Sequence, residues 1–137
     1  MATWDELGIG TECAPREYGP LTRTDFVRYQ GASGDFQPIH HDEPFARAAG
    51  YQAPLVVGML PAGLVTTWAT DWLGPRNVRR SRVRWTERVW PDDTLTCSGE
   101  VEREYEEDGL TKVDLVLQAV NQDGTVVVKG WMTFVVP

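Results

Sequence analysis

From Ala48 to Thr70 the chain carries no charged residue. The second half of that run begins at Gly58 and continues through Asp71-Trp72-Leu73 until Gly74-Pro75 stops it. Leu60, Leu64, Trp68 and Trp72 recur every four residues, the spacing of one helix face, while Met59, Ala62, Val65 and Ala69 make the remaining faces apolar as well. A helix apolar nearly all round has to be buried nearly all round. Pro54, Gly58, Pro61 and Gly63 break the uncharged run into pieces too short for a membrane span, so it reads as core. Pro61 is tolerated only in a first turn, which sets the helix start near Gly58. The backbone donors of Gly58 to Leu60 are then expected to point out of that end, where they attract negative oxygen.

What surrounds this helix must be sheet, because beyond Pro75 the apolar period changes to two. A strand is predicted from Val78 to Trp90, with Val83 and Trp85 on one face and Arg82 and Arg84 on the other. Leu95, Cys97, Gly99 and Val101 mark a second strand up to Asp108-Gly109. Val113, Leu115, Leu117 and Ala119 mark a third, and Asp123-Gly124 leads to a fourth over Thr125 to Val135. These read as a four-stranded antiparallel meander. Thr11 to Tyr18 is a poor strand that Pro15 would confine to an edge. The economical packing is an α+β fold in which a five-stranded antiparallel sheet wraps around one central helix. With 137 residues the chain reads as one domain, residues 1–137, able to bury about two thirds of its unfolded surface. Val116, Val127 and Trp131 fall out of phase with the inward set, so the outer face or a free edge is expected to meet a partner.

The chemistry-bearing stretch is Gly31-Ala32-Ser33-Gly34-Asp35-Phe36-Gln37-Pro38-Ile39-His40-His41-Asp42. A short helix capped by Thr24 is expected to deliver the chain to it and to end at Gly31. Asp42 caps a second short helix, with Pro44 in its first turn and a stop at Gly50. Between them Gly34 to His40 reads as a loop, and a turn at Gln37-Pro38 brings Asp35 and His40 toward one point. Asp and His also occur in turns as a cap and a half-buried polar group, so the pair alone does not name a reaction.

The flanking residues do more. Gly-Asp-Phe-Gln-Pro-Ile-His at 34–40, followed by His-Asp-Glu-Pro-Phe-Ala, resembles the signature of the MaoC-like, R-specific enoyl-CoA hydratases, which have a hotdog fold. By position the resemblance implies that Asp35 and His40 are the catalytic pair, with Gln37 where the family usually has Asn. Ala53-Pro54-Leu55-Val56-Val57-Gly58-Met59-Leu60 is similar to the family segment entering the central helix. There the resemblance implies Gly58 as the oxyanion donor, Val57 in place of the usual His, and Thr66 as a small hydroxyl residue of the site. Trp90-Pro91-Asp92-Asp93-Thr94-Leu95 resembles the family's Pro-Gly-Asp-Thr turn with Asp92 in place of Gly. The likeness runs from about Thr22 to the C-terminus. It implies hydration of a trans-2-enoyl-CoA to a (R)-3-hydroxyacyl-CoA, coenzyme A entering as part of the substrate, no metal or organic cofactor, and two hotdog sheets paired into a double hotdog.

Charge adds a second theme. The net charge of −7 disfavours nucleic acid and anionic membranes as partners. Within it, Arg76, Arg79, Arg80, Arg82, Arg84 and Arg88 fall in thirteen residues with the single acid Glu87. Arg82 and Arg84 are candidates for substrate phosphate, although outward arginines also simply keep a strand soluble. Cys13 and Cys97 stand apart with no metal-ligand spacing, and His40-His41-Asp42 lacks a third ligand, so no metal site is expected. Reduced cysteines fit the cytoplasm, and Met1-Ala2-Thr3-Trp4-Asp5-Glu6 lacks the pattern of a secretory leader. Two other readings stay open: an acyl-CoA thioesterase on the same fold, and a subunit active only in a heteromeric hydratase for bulky acyl groups. The latter is supported by a likeness to the small chain of the actinobacterial steroid side-chain enoyl-CoA hydratases, carried by Thr70 to Pro75 and Cys97 to Val101 in addition to the loop.

Overall fold

A computed structural model describes residues 6–137. The reading of the N-terminus as leader-free falls on residues that lie mostly outside that range. Strands β1 (Arg16–Tyr18), β2 (Val78–Trp85), β3 (Leu95–Glu107), β4 (Leu110–Val120) and β5 (Val126–Val135) form one antiparallel sheet in the order β1-β3-β4-β5-β2. Helices α1 (Arg23–Ser33) and α2 (Glu43–Ala48) precede α3 (Met59–Leu73), which lies in the hollow of the sheet. Phe26, Val65, Trp68 and Ala69 from the helices close on Leu95, Cys97, Leu115, Leu117 and Phe134 from β3, β4 and β5, all of them buried. Trp68 and Trp72 tilt against each other with ring centres 5.7 Å apart, and the Trp68 indole N–H donates to the Ala14 carbonyl. This is the hotdog architecture. None of the described helices is long and apolar enough to cross a membrane.

The predicted four-stranded meander is corrected to three. β3, β4 and β5 follow one another through tight turns, with Asp108 and Gly109 both at positive φ in the first. β2 crosses to the far side and pairs with β5, from Val78 opposite Phe134 to Trp85 opposite Val128. The strand also ends at Trp85 instead of Trp90. The backbone N–H groups of Thr86 and Glu87 both turn to the single carbonyl of Val127, two residues against one, which peels the chain out of the sheet. Val127 is fully buried and not on the outer face: the register shift between the pairs Ala119–Val128 and Val120–Val126 skips it and breaks the alternation of β5. Val116 and Trp131 do sit half-buried on that face.

Helix α1 starts two residues earlier and ends three residues later than expected. Thr22, not Thr24, is the cap: its hydroxyl accepts from the Asp25 N–H, and the Asp25 carboxylate accepts from the Thr22 N–H and hydroxyl. These bonds hold the Asp25 carboxyl below the usual carboxylate range. Gly31 stays helical, and the stop is Gly34 at φ 78. Asp42 caps α2 as expected, accepting from the Phe45 N–H.

The turn Pro91–Asp93 carries a substitution with a stability consequence. Asp92 has φ 70, a left-handed conformation that suits glycine, and it is exposed. Asp92→Gly is expected to raise the unfolding free energy by about 1 kcal/mol, read from urea or thermal unfolding.

Candidate active site

Pro38–His40 forms a single 3-10 turn, which the loop between α1 and α2 uses to reverse direction. The Gln37 N–H donates to Asp35 Oδ1 at 3.2 Å, an Asx turn that fixes the carboxylate. Asp35 Oδ2 then faces His40 Nε2 at 4.0 Å. His40 is 8% exposed, and its Nδ1 lies 2.7 Å from the Leu55 carbonyl. A carbonyl oxygen only accepts, so Nδ1 carries the proton and the Nε2 of the neutral ring presents a lone pair toward Asp35. The Asp35 side chain is 47% exposed, so the gap between the two groups opens to solvent.

The same backbone ties the pair to the start of α3. The Leu55 N–H donates to the Ile39 carbonyl, the Leu55 carbonyl receives His40, and three residues later Gly58 caps the helix. The expectation of free donors from Gly58 to Leu60 needs one correction: the Leu60 N–H is taken by the Val57 carbonyl at 2.8 Å. The Gly58 N–H has no hydrogen bond among the described residues. Against Gly58 lies Trp85, whose indole N–H donates to the Gly58 carbonyl at 2.6 Å. A Cβ at Gly58 would stand 3.2 Å from that indole nitrogen.

The other sequence-predicted residues scatter. Gln37 is exposed and acts here through its backbone. Val57 is buried. Thr66 turns its hydroxyl back to the Ala62 and Gly63 carbonyls of its own helix. Arg82 and Arg84 pair with Trp131 and Lys129 of β5 on the outer face, opposite to the side of Val83 and Trp85 that faces α3. They are not brought together with Asp35, His40 and Gly58. Cys97 is buried in the core, which pushes its thiol up to about 12 and leaves no thiolate for chemistry. Among the described residues no cluster of His, Cys, Asp and Glu could hold a metal ion.

Gln30 is the residue that sequence reading missed. Only 2% exposed, it donates from Nε2 to the carbonyls of Asp35 and Gln37, and its Oε1 lies 2.9 Å from His41 Nδ1. One buried amide thus holds the loop at three points. The available signal was a polar residue four positions after Phe26, on the buried face of α1. Gln30→Leu should cost about 1–3 kcal/mol in stability, because it removes the buried amide's bonds to the Asp35 and Gln37 carbonyls and to His41. Activity at a temperature where the variant is fully folded should fall about tenfold or more, because the Asp35 carboxylate loses its position. Unchanged kcat in the folded variant would assign Gln30 to stability alone.

Comparison with known proteins agrees with the fold. Residues 6–124 match the family model of the MaoC like domain. Over 86 residues the chain is 38% identical to the 3-oxo-4,17-pregnadiene-20-carboxyl-CoA hydratase beta subunit of Mycobacterium tuberculosis, a match covering 62% of this chain and 65% of that one. The chain therefore spans somewhat less than two thirds of that relative's length. Among solved structures, the R-hydratase PhaJ1 of Pseudomonas aeruginosa superposes with a TM-score of 0.85 at 25% identity, over 98% of this chain and 85% of that one. The ChsH1-ChsH2 complex of Mycobacterium tuberculosis gives 0.76 at 29% identity, over 93% and 97%. With a helix-filled sheet, the Asp35–His40 loop and a family match over most of its length, the chain belongs to the MaoC-like domain family.

Proposed function

We propose that the chain is a hydro-lyase that reversibly hydrates a trans-2-enoyl-CoA to a (R)-3-hydroxyacyl-CoA, with Asp35, His40 and Gly58 as its catalytic residues. The observation that carries this reading is the 4.0 Å gap between Asp35 Oδ2 and His40 Nε2, with the other imidazole nitrogen committed to Leu55. A water oxygen about 2.8 Å from both atoms fits that gap. Asp35 takes a proton from this water while His40 orients it, the water oxygen bonds to C3, and the pair returns the proton to C2. Negative charge building on the thioester oxygen is met by the Gly58 N–H at the start of α3. Both parts then add to one face of the double bond, and the (R) configuration is supported by the likeness to the R-hydratase PhaJ1. Coenzyme A is part of the substrate, and the three residues supply acid, base and oxyanion donor without a metal or organic cofactor.

Phe36 beside Asp35, Met59 beside Gly58 and Trp85 against Gly58 are large apolar side chains left exposed, which supports an apolar acyl group. Gln37, Val57 and Thr66 belong to its wall in this reading. The name of the mycobacterial subunit supports a bulky, polycyclic acyl-CoA. The neighbouring ChsH1-ChsH2 complex supports a second hotdog chain beside this one, and in this reading the two sheets meet edge to edge. Free Cys13 and Cys97 support a reducing cytoplasmic setting.

The test is incubation of the purified chain with a short trans-2-enoyl-CoA, followed by chiral analysis of the product. The expected result is (R)-3-hydroxyacyl-CoA. Thioester cleavage without hydration would replace the reaction class by a thioesterase.

A further inference from the structure

Five arginines lie outside the 76–88 cluster, and each is ion-paired: Arg16 with Asp71, Arg23 and Arg47 with Glu43, Arg28 with Asp25, and Arg103 with Asp114. Within the cluster the pattern reverses. Among the described residues Arg76, Arg79, Arg80, Arg82, Arg84 and Arg88 are all exposed, and none forms an ion pair. In a chain of net charge −7, with 20 acidic residues available, this is the reverse of what composition alone would give.

The positions make the pattern directional. β2 is an edge of the sheet, bonded on one side to β5 and free on the other among the described residues. Arg80, Arg82 and Arg84 stand opposite Thr133, Trp131 and Lys129 of β5, so all three project from the outer face, about 7 Å apart along the strand. Arg82 lies over the Trp131 ring at 4.8 Å. Asp114, a carboxylate of the same face, is already held by Arg103 and Thr133, while Glu102 lies nearby without an ion pair to either Arg80 or Arg82. Among the described residues no carboxylate of the chain forms an ion pair with this row.

A second copy is a poor source of partner carboxylates. If two β2 edges join antiparallel with both helices on one side of the combined sheet, residues that oppose each other share a face. Arg80, Arg82 and Arg84 then meet only their own equivalents, an arrangement that like charge disfavours. The sheet's opposite edge is acidic, since β3 beyond Val101 is unpaired on its outer side among the described residues and bears Glu104, Glu106 and Glu107. Joining β2 of one copy to β3 of the next is head-to-tail and leaves the same two edges free, so it builds open chains or larger rings and no closed pair.

We infer that the free β2 edge docks a different chain whose facing edge strand carries carboxylates on its outer face. The inference rests on the reading of this chain as one half of a paired-hotdog hydratase, and it names the edge and the charge of the other half. Arginine–carboxylate pairs across the seam then set which chain is accepted and make the assembly salt-sensitive.

The chain itself supplies the probe. Arg80→Glu, Arg82→Glu and Arg84→Glu together turn β2 into an acidic edge while leaving Asp35, His40 and Gly58 untouched. By native mass spectrometry and sedimentation in about 50 mM salt, wild type alone and the triple variant alone are each expected to remain single chains, and their mixture to form an equimolar pair. That pair should weaken at least tenfold at about 0.5 M salt, where screening shortens to a few ångströms. Circular dichroism of the variant establishes that it is folded. A wild-type dimer that salt does not disrupt, or a mixture of folded chains that stays apart, overturns the inference. So does saturable binding of adenosine 3′,5′-bisphosphate to wild type that the triple variant loses, which would return the arginines to a small polyanion. Mass and binding are read without substrate, so failure here is separable from failure of the hydration reading, which product analysis decides.

Discussion

Asp35→Asn is expected to lower kcat for hydration by about 10²–10⁴, a barrier increase of about 3–5 kcal/mol, with the melting temperature little changed. The two readouts separate because the carboxylate has two distinct tasks. Oδ1 accepts the Gln37 N–H and shapes the turn, and an Asn side-chain oxygen can do the same. Oδ2 faces His40 and, in the proposed mechanism, accepts a proton, which an amide cannot do. His40 needs more care, since it is buried and its Nδ1–H satisfies the Leu55 carbonyl. His40→Ala strands that carbonyl at a cost of about 1–3 kcal/mol, so a loss of activity could be a loss of fold. His40→Asn keeps an N–H close to the Nδ1 position and removes only the ring nitrogen that faces Asp35. It too should lower kcat by about 10²–10⁴, followed as loss of the enoyl thioester's ultraviolet absorbance. Full activity in either folded variant removes the pair from the mechanism.

The elements legible in the sequence are those where a local rule left a single choice. Pro61 could only be in a first turn, so Gly58 as the start of α3 followed, and the structure begins that helix at Met59. Asp42 with Pro44 likewise specified the start of α2. Errors arose where two local signals competed. Thr22 and Thr24 both precede acidic residues, but only Thr22 stands three before Asp25, the spacing that lets cap and carboxylate serve each other. Gly31 looked like a stop because glycine is a weak helix former, yet its cost of about 1 kcal/mol is absorbed once Phe26 and Gln30 are packed on the same helix.

What no local rule could supply is the crossing of β2 to β5. Val83 and Val89 keep the same parity, so the alternation runs through Trp85 toward Trp90 with nothing to mark the exit from the sheet. The exit is decided by partners far along the chain, Val127 for Thr86 and Glu87, and Val56 for Val89. Gln30 escaped for a related reason. Its importance lies in three loop atoms that meet it only after the chain has turned back from Gly34.

Gly58→Pro is the second change expected to have a large effect, a loss of about 10²–10³ in kcat with a smaller change in KM. Its force comes from how little else the substitution disturbs. Gly58 has φ −53, close to the angle that proline imposes, and its N–H makes no hydrogen bond among the described residues, so no structural bond is lost. The residue loses one donor at the start of α3, where the thioester oxygen is expected to gather charge. Gly58→Ala is the control. It keeps the N–H but adds a Cβ 3.2 Å from Trp85 Nε1, which the half-exposed indole can relieve by a small shift. The alanine variant should therefore keep kcat within about tenfold of wild type, while the proline variant falls well below it. Melting curves for both establish that α3 has formed. An equal loss in the two folded variants would mean that crowding against Trp85, and not the missing donor, governs the rate, and the oxyanion role would pass from Gly58 to another group.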